Sequence, residues 1–215
     1  MKITAQRLER FKQVVANRQF DLTVILENVH DPHNIGAVLR SCDSVGIREI
    51  YVLYTEPELQ KLDKLEMGRR TSSGARKWVD VRFYTNVDAC FAEVNQKYDQ
   101  VLATHLDTEA KNLYELDLTV STALLFGNEH DGLSQEALSY ATGNFVIPQM
   151  GMVKSLNISV ACAVTLYEAL RQRTAAERYG KSFDEADSRQ NQLLDDYLYR
   201  HEARLSGKNV YRINS

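Results

Sequence analysis

The chain is poor in the residues that interrupt or cross-link a fold. Its 215 residues include only 3 Pro, 10 Gly, 3 Cys and 1 Trp. No Pro- or Gly-rich linker, low-complexity tract or internal repeat is found, and the length fits one globular domain with terminal additions. The cysteines, Cys42, Cys90 and Cys162, are odd in number and far apart. They suggest neither a disulfide framework nor a CxxC metal site, and they fit a reducing cytoplasm. Long apolar runs are missing as well. The N-terminal MKITAQRLERFKQVV spaces its apolar residues with charges, so neither a secretory leader nor a membrane span is expected, and the protein is expected to stay in the cytoplasm. No G-x-G-x-x-G follows the first apolar run, where Gly36 stands alone, and nowhere does a Gly-rich loop end in Gly-Lys-Ser/Thr. Nicotinamide and P-loop chemistry are therefore disfavoured.

A net charge of −3, from 26 Lys and Arg against 29 Asp and Glu, does not advertise a nucleic-acid binder. Net charge averages over surfaces that face different partners, however. Residues 1–20 hold Lys2, Arg7, Arg10, Lys12 and Arg18 against the single acid Glu9, and Arg69, Arg70, Arg76 and Lys77 cluster beside Trp78. That asymmetry offers two basic patches.

Hydrophobic periodicity then supplies the elements. Ile3, Leu8, Phe11, Val14 and Val15 predict a basic amphipathic helix over residues 2–18. The β-branched run Leu22 to Glu27 predicts a buried strand. A helix is expected from Asn34, as its N-cap, to about Val45, with Gly46 ending it. Strands are expected at 49–54, 78–84, 100–106, 122–127 and 144–148. Helices are expected over PELQKLDKLEM, 87–97, 135–141 and 157–175, and another amphipathic helix over 183–205. Alternating strands and helices imply an α/β fold around a mostly parallel sheet with helices on both faces, whose ligands lie outside the C-terminal strand ends.

Three segments place polar, Gly or Pro residues directly after an apolar strand: ENVHDPHNIGAVLRS (27–41), LLFGNEHDGLS (124–134) and IPQMGMVKSLNISVA (147–161). In a parallel sheet all three reach one rim. His30, Asp31 and His33 flank Pro32 without a regular ligand spacing, so a turn-and-cap role is favoured over a metal site. Trp78, at a strand start, is read as core before base-stacking.

In order and spacing, these segments closely resemble the motifs of the SPOUT class of RNA methyltransferases, in particular its tRNA (guanosine-2′-O-)-methyltransferase branch. The likeness runs from about Asp21 to Arg173 and includes TSSGARKWV (71–79). It implies a deep C-terminal trefoil knot over about residues 122–175, S-adenosylmethionine (AdoMet) held in the knot, and a homodimer that completes the site. It divides the chain into a basic helical extension (1–20), a methyltransferase domain (21–175) and a C-terminal helical extension (176–215). The implied reaction is methyl transfer from AdoMet to the ribose 2′-hydroxyl of a guanosine in the tRNA D loop, at position 18, without a metal or a membrane. By the same resemblance Arg40, Asn34, Glu129, Ser155 and Asn157 form the catalytic set. AdoMet is gripped through the backbone of Thr104, Gly127, Ile147, Met150 and Leu156. Arg40 matches the family's motif arginine, which is usually described as the base. A guanidinium stays protonated, so phosphate binding and orientation are its firmer role. Asn34 is expected to cap the helix and steer Arg40. His130 and Asp131 depart from the Lys-Trp pair of the tRNA branch. RNA phosphates are expected to meet Arg7, Arg10, Arg18, Arg76, Lys77, Arg171 and Arg173. The alternatives are a ribosomal RNA target, a noncatalytic RNA-binding protein of the same fold, and a protein-only scaffold or dimerisation module; relatives acting on ribosomal RNA usually carry a separate N-terminal domain, whereas here about 20 residues precede the first strand.

Overall fold

The structure, a computed structural model, describes residues 3–61, 72–128, 131–153 and 155–205. Its strands are β1 (Leu22–Glu27), β2 (Glu49–Leu53), β3 (Asp80–Tyr84), β4 (Gln100–Thr104), β5 (Lys111–Asn112), β6 (Thr122–Phe126) and β7 (Gly143–Val146). They form one sheet in the order β3-β2-β1-β6-β4-β7-β5, and every pairing is parallel. All the C-terminal strand ends therefore share one rim. Strand β5 was not expected from the sequence, because two residues are too few to show a period. The strand expected at 144–148 ends at Val146, which leaves Ile147 and Pro148 to the loop that follows. Trp78 precedes β3, after a 3₁₀ turn at Ala75–Lys77.

The helices are α1 (Ala5–Ala16), α2 (Pro32–Ser44), α3 (Pro57–Gln60), α4 (Val87–Lys97), α5 (Gln135–Leu138), α6 (Ile158–Ala175) and α7 (Ser188–Leu205). Of the helix expected over PELQKLDKLEM, Leu62 onward lies outside the described residues. Alternate residues of each central strand feed opposite faces. Leu22, Val24 and Leu26 of β1 and Leu124 and Phe126 of β6 pack with Ile35, Val38 and Leu39 of α2 and Ile158, Cys162 and Leu166 of α6. Ile25, Ala123 and Leu125 point the other way, onto Phe91 and Val94 of α4 and Ala137 of α5. Helices thus cover both faces, and the central strands are buried throughout, as parallel strands require.

Helix α2 begins two residues before the expected Asn34. Pro32 occupies the first turn, where its missing N–H costs nothing, and Asp31 is the cap, its carboxylate accepting from the His33 N–H at 2.8 Å. The His33 backbone and ring donors hold Asp31 below the ordinary carboxylate range. Gly46 ends the helix as expected, at φ +83°. A side chain there would stand 2.5 Å from the Asn17 carbonyl oxygen.

Helices α1 and α7 pack on each other through Phe11, Val15, Leu193, Leu194 and Tyr197. Trp78 joins this cluster, with its ring centroid 5.4 Å from Phe11 and 5.1 Å from Tyr197, so it is a packing residue and not a free stacking platform. Three arginines expected on RNA are also interior. Arg18 is 4% exposed and donates to the Tyr197 hydroxyl (2.9 Å), the Ile47 carbonyl (2.8 Å) and Asp43 (2.5 Å). Arg76 is 3% exposed, with its guanidinium over the Phe83 ring. Arg173 is fully buried and donates to Asp21, Gln19 and the carbonyls of Leu118 and Val120. The guanidinium's planar set of donors suits it to satisfy several loop carbonyls at once, a role that composition cannot separate from phosphate binding.

Candidate active site

The loop after β6 is built around two glycines. A Cβ on Gly127 would lie 2.2 Å from the carbonyl carbon and oxygen of Gly132, so the chain closes on itself there only with glycine. Asn128 and Gly132 exchange backbone hydrogen bonds at 3.1 and 3.2 Å, Gly132 takes φ +71°, and the Asn128 side chain accepts from the Asp131 N–H at 2.7 Å. The loop is also tied to the neighbouring strand. Buried Glu27, at the end of β1, accepts from the Ser134 N–H (2.9 Å) and hydroxyl (2.6 Å), while the Ser134 hydroxyl oxygen caps α5 through the Ala137 N–H. Sequence reading missed this role of Glu27. Its only signal was an acid closing an otherwise apolar strand. Gly127→Ala is expected to break the loop and to weaken cofactor binding more than tenfold, since the overlap falls on backbone that cannot rotate away. Calorimetric titration reads the effect, and wild-type affinity in the variant would refute it.

The loop after β7 runs from Ile147 to Asn157, which caps α6: its side-chain oxygen accepts from the Ser159 N–H at 2.9 Å. The Asn157 amide nitrogen donates to the Asn34 side-chain oxygen at 3.1 Å. Ten residues further along both helices, the Tyr167 hydroxyl meets the Ser44 hydroxyl at 3.4 Å. Helices α2 and α6 therefore run side by side, in parallel and in register, from the rim. Asn34 does not cap α2, whose cap is Asp31, and its side-chain oxygen is held by Asn157.

Between the β6 and β7 loops and the end of β4 lies a cavity of about 610 Å³. Thr104, Gly127, Ile147, Ser155 and Leu156 line it, as do His105, Asn128, Asp131, Phe145 and Gln149. Four of the five residues expected to hold the cofactor are brought together here. The fifth, Met150, is 95% exposed and off the wall. Ser155 is on the wall, and Asn157, not Ser155, caps α6. Among the described lining residues there is no Lys or Arg, and Asp131 is the one carboxylate. Among the described lining residues a phosphate-bearing cofactor finds no Lys or Arg, whereas a largely apolar cleft with an acid suits a positively charged ligand. Beside the cavity, Asp107 is held below its usual range by the Glu109 N–H and the Asn144 side chain.

Arg40 stands off the wall, six residues along α2 from Asn34, or about 9 Å of helix. It is exposed and makes no hydrogen bond or ion pair among the described residues. One turn later Ser44 touches Tyr167, so Arg40 lies beside the outer face of α6, where Val160 (46% exposed) and Tyr167 (54%) continue a stripe that starts at Leu156. Glu129 lies outside the described residues, as do Arg69 and Arg70. Arg7 and Arg10 are exposed on α1. Lys77 is half-buried, its carbonyl accepting from Arg200 at 2.8 Å, and Arg171 is exposed but paired with Glu168. His30 pairs with Glu56 and His33 with Asp31. Among the described residues no group of three or more His, Cys, Asp or Glu could hold a metal ion, and no helix is long and apolar enough to cross a membrane.

Comparison with known proteins agrees with this geometry. A tRNA (guanosine(18)-2′-O)-methyltransferase of Thermus thermophilus is 41% identical over 192 residues, covering 89% of this chain and 96% of the relative. One from Escherichia coli is 39% identical over 173 residues, 80% of this chain and 73% of its own length. Among solved structures, a TrmH/SpoU tRNA-modifying enzyme of Aquifex aeolicus aligns with TM-score 0.77 and 34% identity, over 91% of this chain and 96% of its own. The SpoU methyltransferase AviRb of Streptomyces viridochromogenes, in complex with the cofactor AdoMet, aligns with TM-score 0.64 and 26% identity, over 74% and 62%. With a family model matched across residues 21–167 and relatives that share most of its length, the chain belongs to the SpoU rRNA methylase family.

Proposed function

We propose that this protein transfers the methyl group of AdoMet to the ribose 2′-hydroxyl of a guanosine in tRNA, at position 18 of the D loop. The observation that carries the proposal is the cavity at the strand ends. Thr104, Gly127, Ile147 and Leu156 meet there, no Lys or Arg is among its described lining residues, and Asn157 at its edge is bonded to Asn34 of the Arg40 helix. Relatives spanning nearly the whole chain are named for this reaction, and a family neighbour is solved with AdoMet.

When bound, AdoMet supplies a methyl group made electrophilic by its sulfonium. Residues of this chain do the rest. Phe145 and Ile147 give the donor an apolar floor, and the backbone of Gly127 approaches it closely. Arg40 grips the phosphate next to the target ribose and so sets the 2′-oxygen in line with the methyl. Asn157, steadied through Asn34, and Ser155 hold the ribose edge by hydrogen bonds, and Glu129 joins them by its place in the motif. Arg7 and Arg10 on α1 take phosphates further along the tRNA, with an affinity that falls steeply with salt. Lys77 and Arg171 add to that track.

The same reading includes a trefoil knot over residues 122–175, flanked by helical extensions at 1–20 and 176–215, and a cytoplasmic homodimer. The knot is supported by family membership and by β6 and β7 flanking the earlier strand β4. The dimer is supported by the uncovered stripe Leu156, Val160 and Tyr167, beside which Arg40 waits for an anion. Incubation with labelled AdoMet and unmodified tRNA, followed by nucleoside mapping, tests the function. Label is expected on the 2′-oxygen of guanosine 18. Label on ribosomal RNA alone would move the target, and AdoMet failing to bind at millimolar concentration would leave a noncatalytic RNA-binding protein.

A further inference from the structure

We infer that Asp131 is the counter-charge for the sulfonium of the bound donor, and that it thereby sets the cavity's preference for AdoMet over the demethylated product. This rests on the proposed methyl transfer and assigns a role to a position where the sequence departs from the tRNA branch.

Three other described acids near the rim are engaged. Glu27 accepts twice from Ser134, Asp31 holds the α2 cap, and Asp107 accepts from Asn144 and the Glu109 N–H. The carboxylate of Asp131 has no hydrogen bond or ion pair among the described residues, although it lines the cavity. It is not a helix cap either, since Ser134 performs that role for α5. Its backbone is nonetheless fixed. The Asp131 N–H is held by Asn128 at 2.7 Å, inside a loop closed by the two Asn128–Gly132 hydrogen bonds. An exposed carboxylate that has no partner among the described residues, at the edge of a cavity with no Lys or Arg among its described lining residues, attracts a cationic ligand.

The donor offers two positive groups, an ammonium and a sulfonium. The ammonium already has its own carboxylate two bonds away, so the sulfonium gains more from a wall charge. Strand order agrees. The loop bearing Asp131 follows β6, next to β1 and the Arg40 helix, where the ribose is to be placed, whereas β4 and β7 lie on the far side. During transfer the S–CH₃ bond breaks with its electron pair left on sulfur, the O–CH₃ bond forms, and the hydroxyl proton leaves to solvent. The sulfur ends neutral, and its attraction to Asp131 ends with the charge.

Calorimetric titration with AdoMet, with S-adenosylhomocysteine, and with sinefungin, in which an amine-bearing carbon replaces the sulfonium, tests the inference in the full-length protein. Asp131→Asn is expected to weaken AdoMet and sinefungin about five- to tenfold, as suits a charge pair open to solvent on one side. Binding of S-adenosylhomocysteine should stay within about twofold, by the loss of the charge it would otherwise meet. Asp131→Glu, which keeps the charge, should restore the preference, and an unchanged melting temperature in both variants shows the loop intact. Equal weakening of all three ligands, or of none, overturns the inference while leaving the methyltransferase reading standing. Failure of the wild type to bind any of them overturns both.

Discussion

Arg40→Ala is expected to lower kcat/KM for tRNA by about 10³-fold, the scale of losing one preorganised charged group at the reacting centre. AdoMet affinity should hold within about twofold, because Arg40 is absent from the cavity wall and no contact with the donor is removed. Stability should also hold within about 0.5 kcal/mol, since an exposed, unpaired side chain on α2 is deleted. Arg40→Lys discriminates between roles. A lysine supplies a point charge but not the two parallel N–H donors that a phosphate accepts, so most of the loss should persist. Single-turnover assays read the effect. An alanine variant within tenfold of wild type, or a lysine variant with substantial activity, would remove the guanidinium-dependent role.

Arg173→Met should unfold the protein more readily, by about 3–5 kcal/mol, because it leaves buried acceptors without their donor. Arg173 joins three places distant in sequence: its own helix α6, the Gln19–Asp21 segment before β1, and the Leu118–Val120 segment before β6. The methionine matches much of the volume and none of the five donated bonds. Arg178→Ala provides the contrast. Arg178 shares Asp21 at 2.9 Å, but its side chain is 42% exposed, and a surface pair of this kind contributes about 1 kcal/mol or less. Urea titration of both variants checks the ordering, and equal midpoints would show that burial does not set the worth of these pairs.

These two arginines illustrate what residue type alone conveys. Arg40, Arg18, Arg76 and Arg173 are indistinguishable in composition, and all four were expected to meet RNA. Of the four only Arg40 is exposed and has no partner among the described residues, while the other three are enclosed. Burial depends on which segments pack together, and that is a property of the whole chain. The residues that line the cavity were more legible. Thr104, Gly127, Ile147 and Leu156 came from motif resemblance; Thr104 closes β4 and Gly127 and Ile147 directly follow β6 and β7, positions that a parallel sheet sends to one rim, while Leu156 stands just before the cap of α6. Met150 alone of the five stands off the cavity wall, and a backbone-mediated role leaves no mark on side-chain chemistry by which to tell a motif residue from its neighbours.

The alternation of apolar runs, read with the turn residues between them, was enough by itself to determine an α/β parallel sheet, the strands β1 and β6, and helix α4 nearly to the residue. Those features depend on neighbours within a few positions. The tertiary structure decided the strand order that sets β6 between β1 and β4, the pairing of Asn34 with Asn157 across 123 residues, the Glu27 anchor of the Gly127 loop and the interior fate of three arginines. Each of these is a contact between segments far apart in sequence. Such contacts are won by the global competition for buried area and satisfied donors, which no local pattern records.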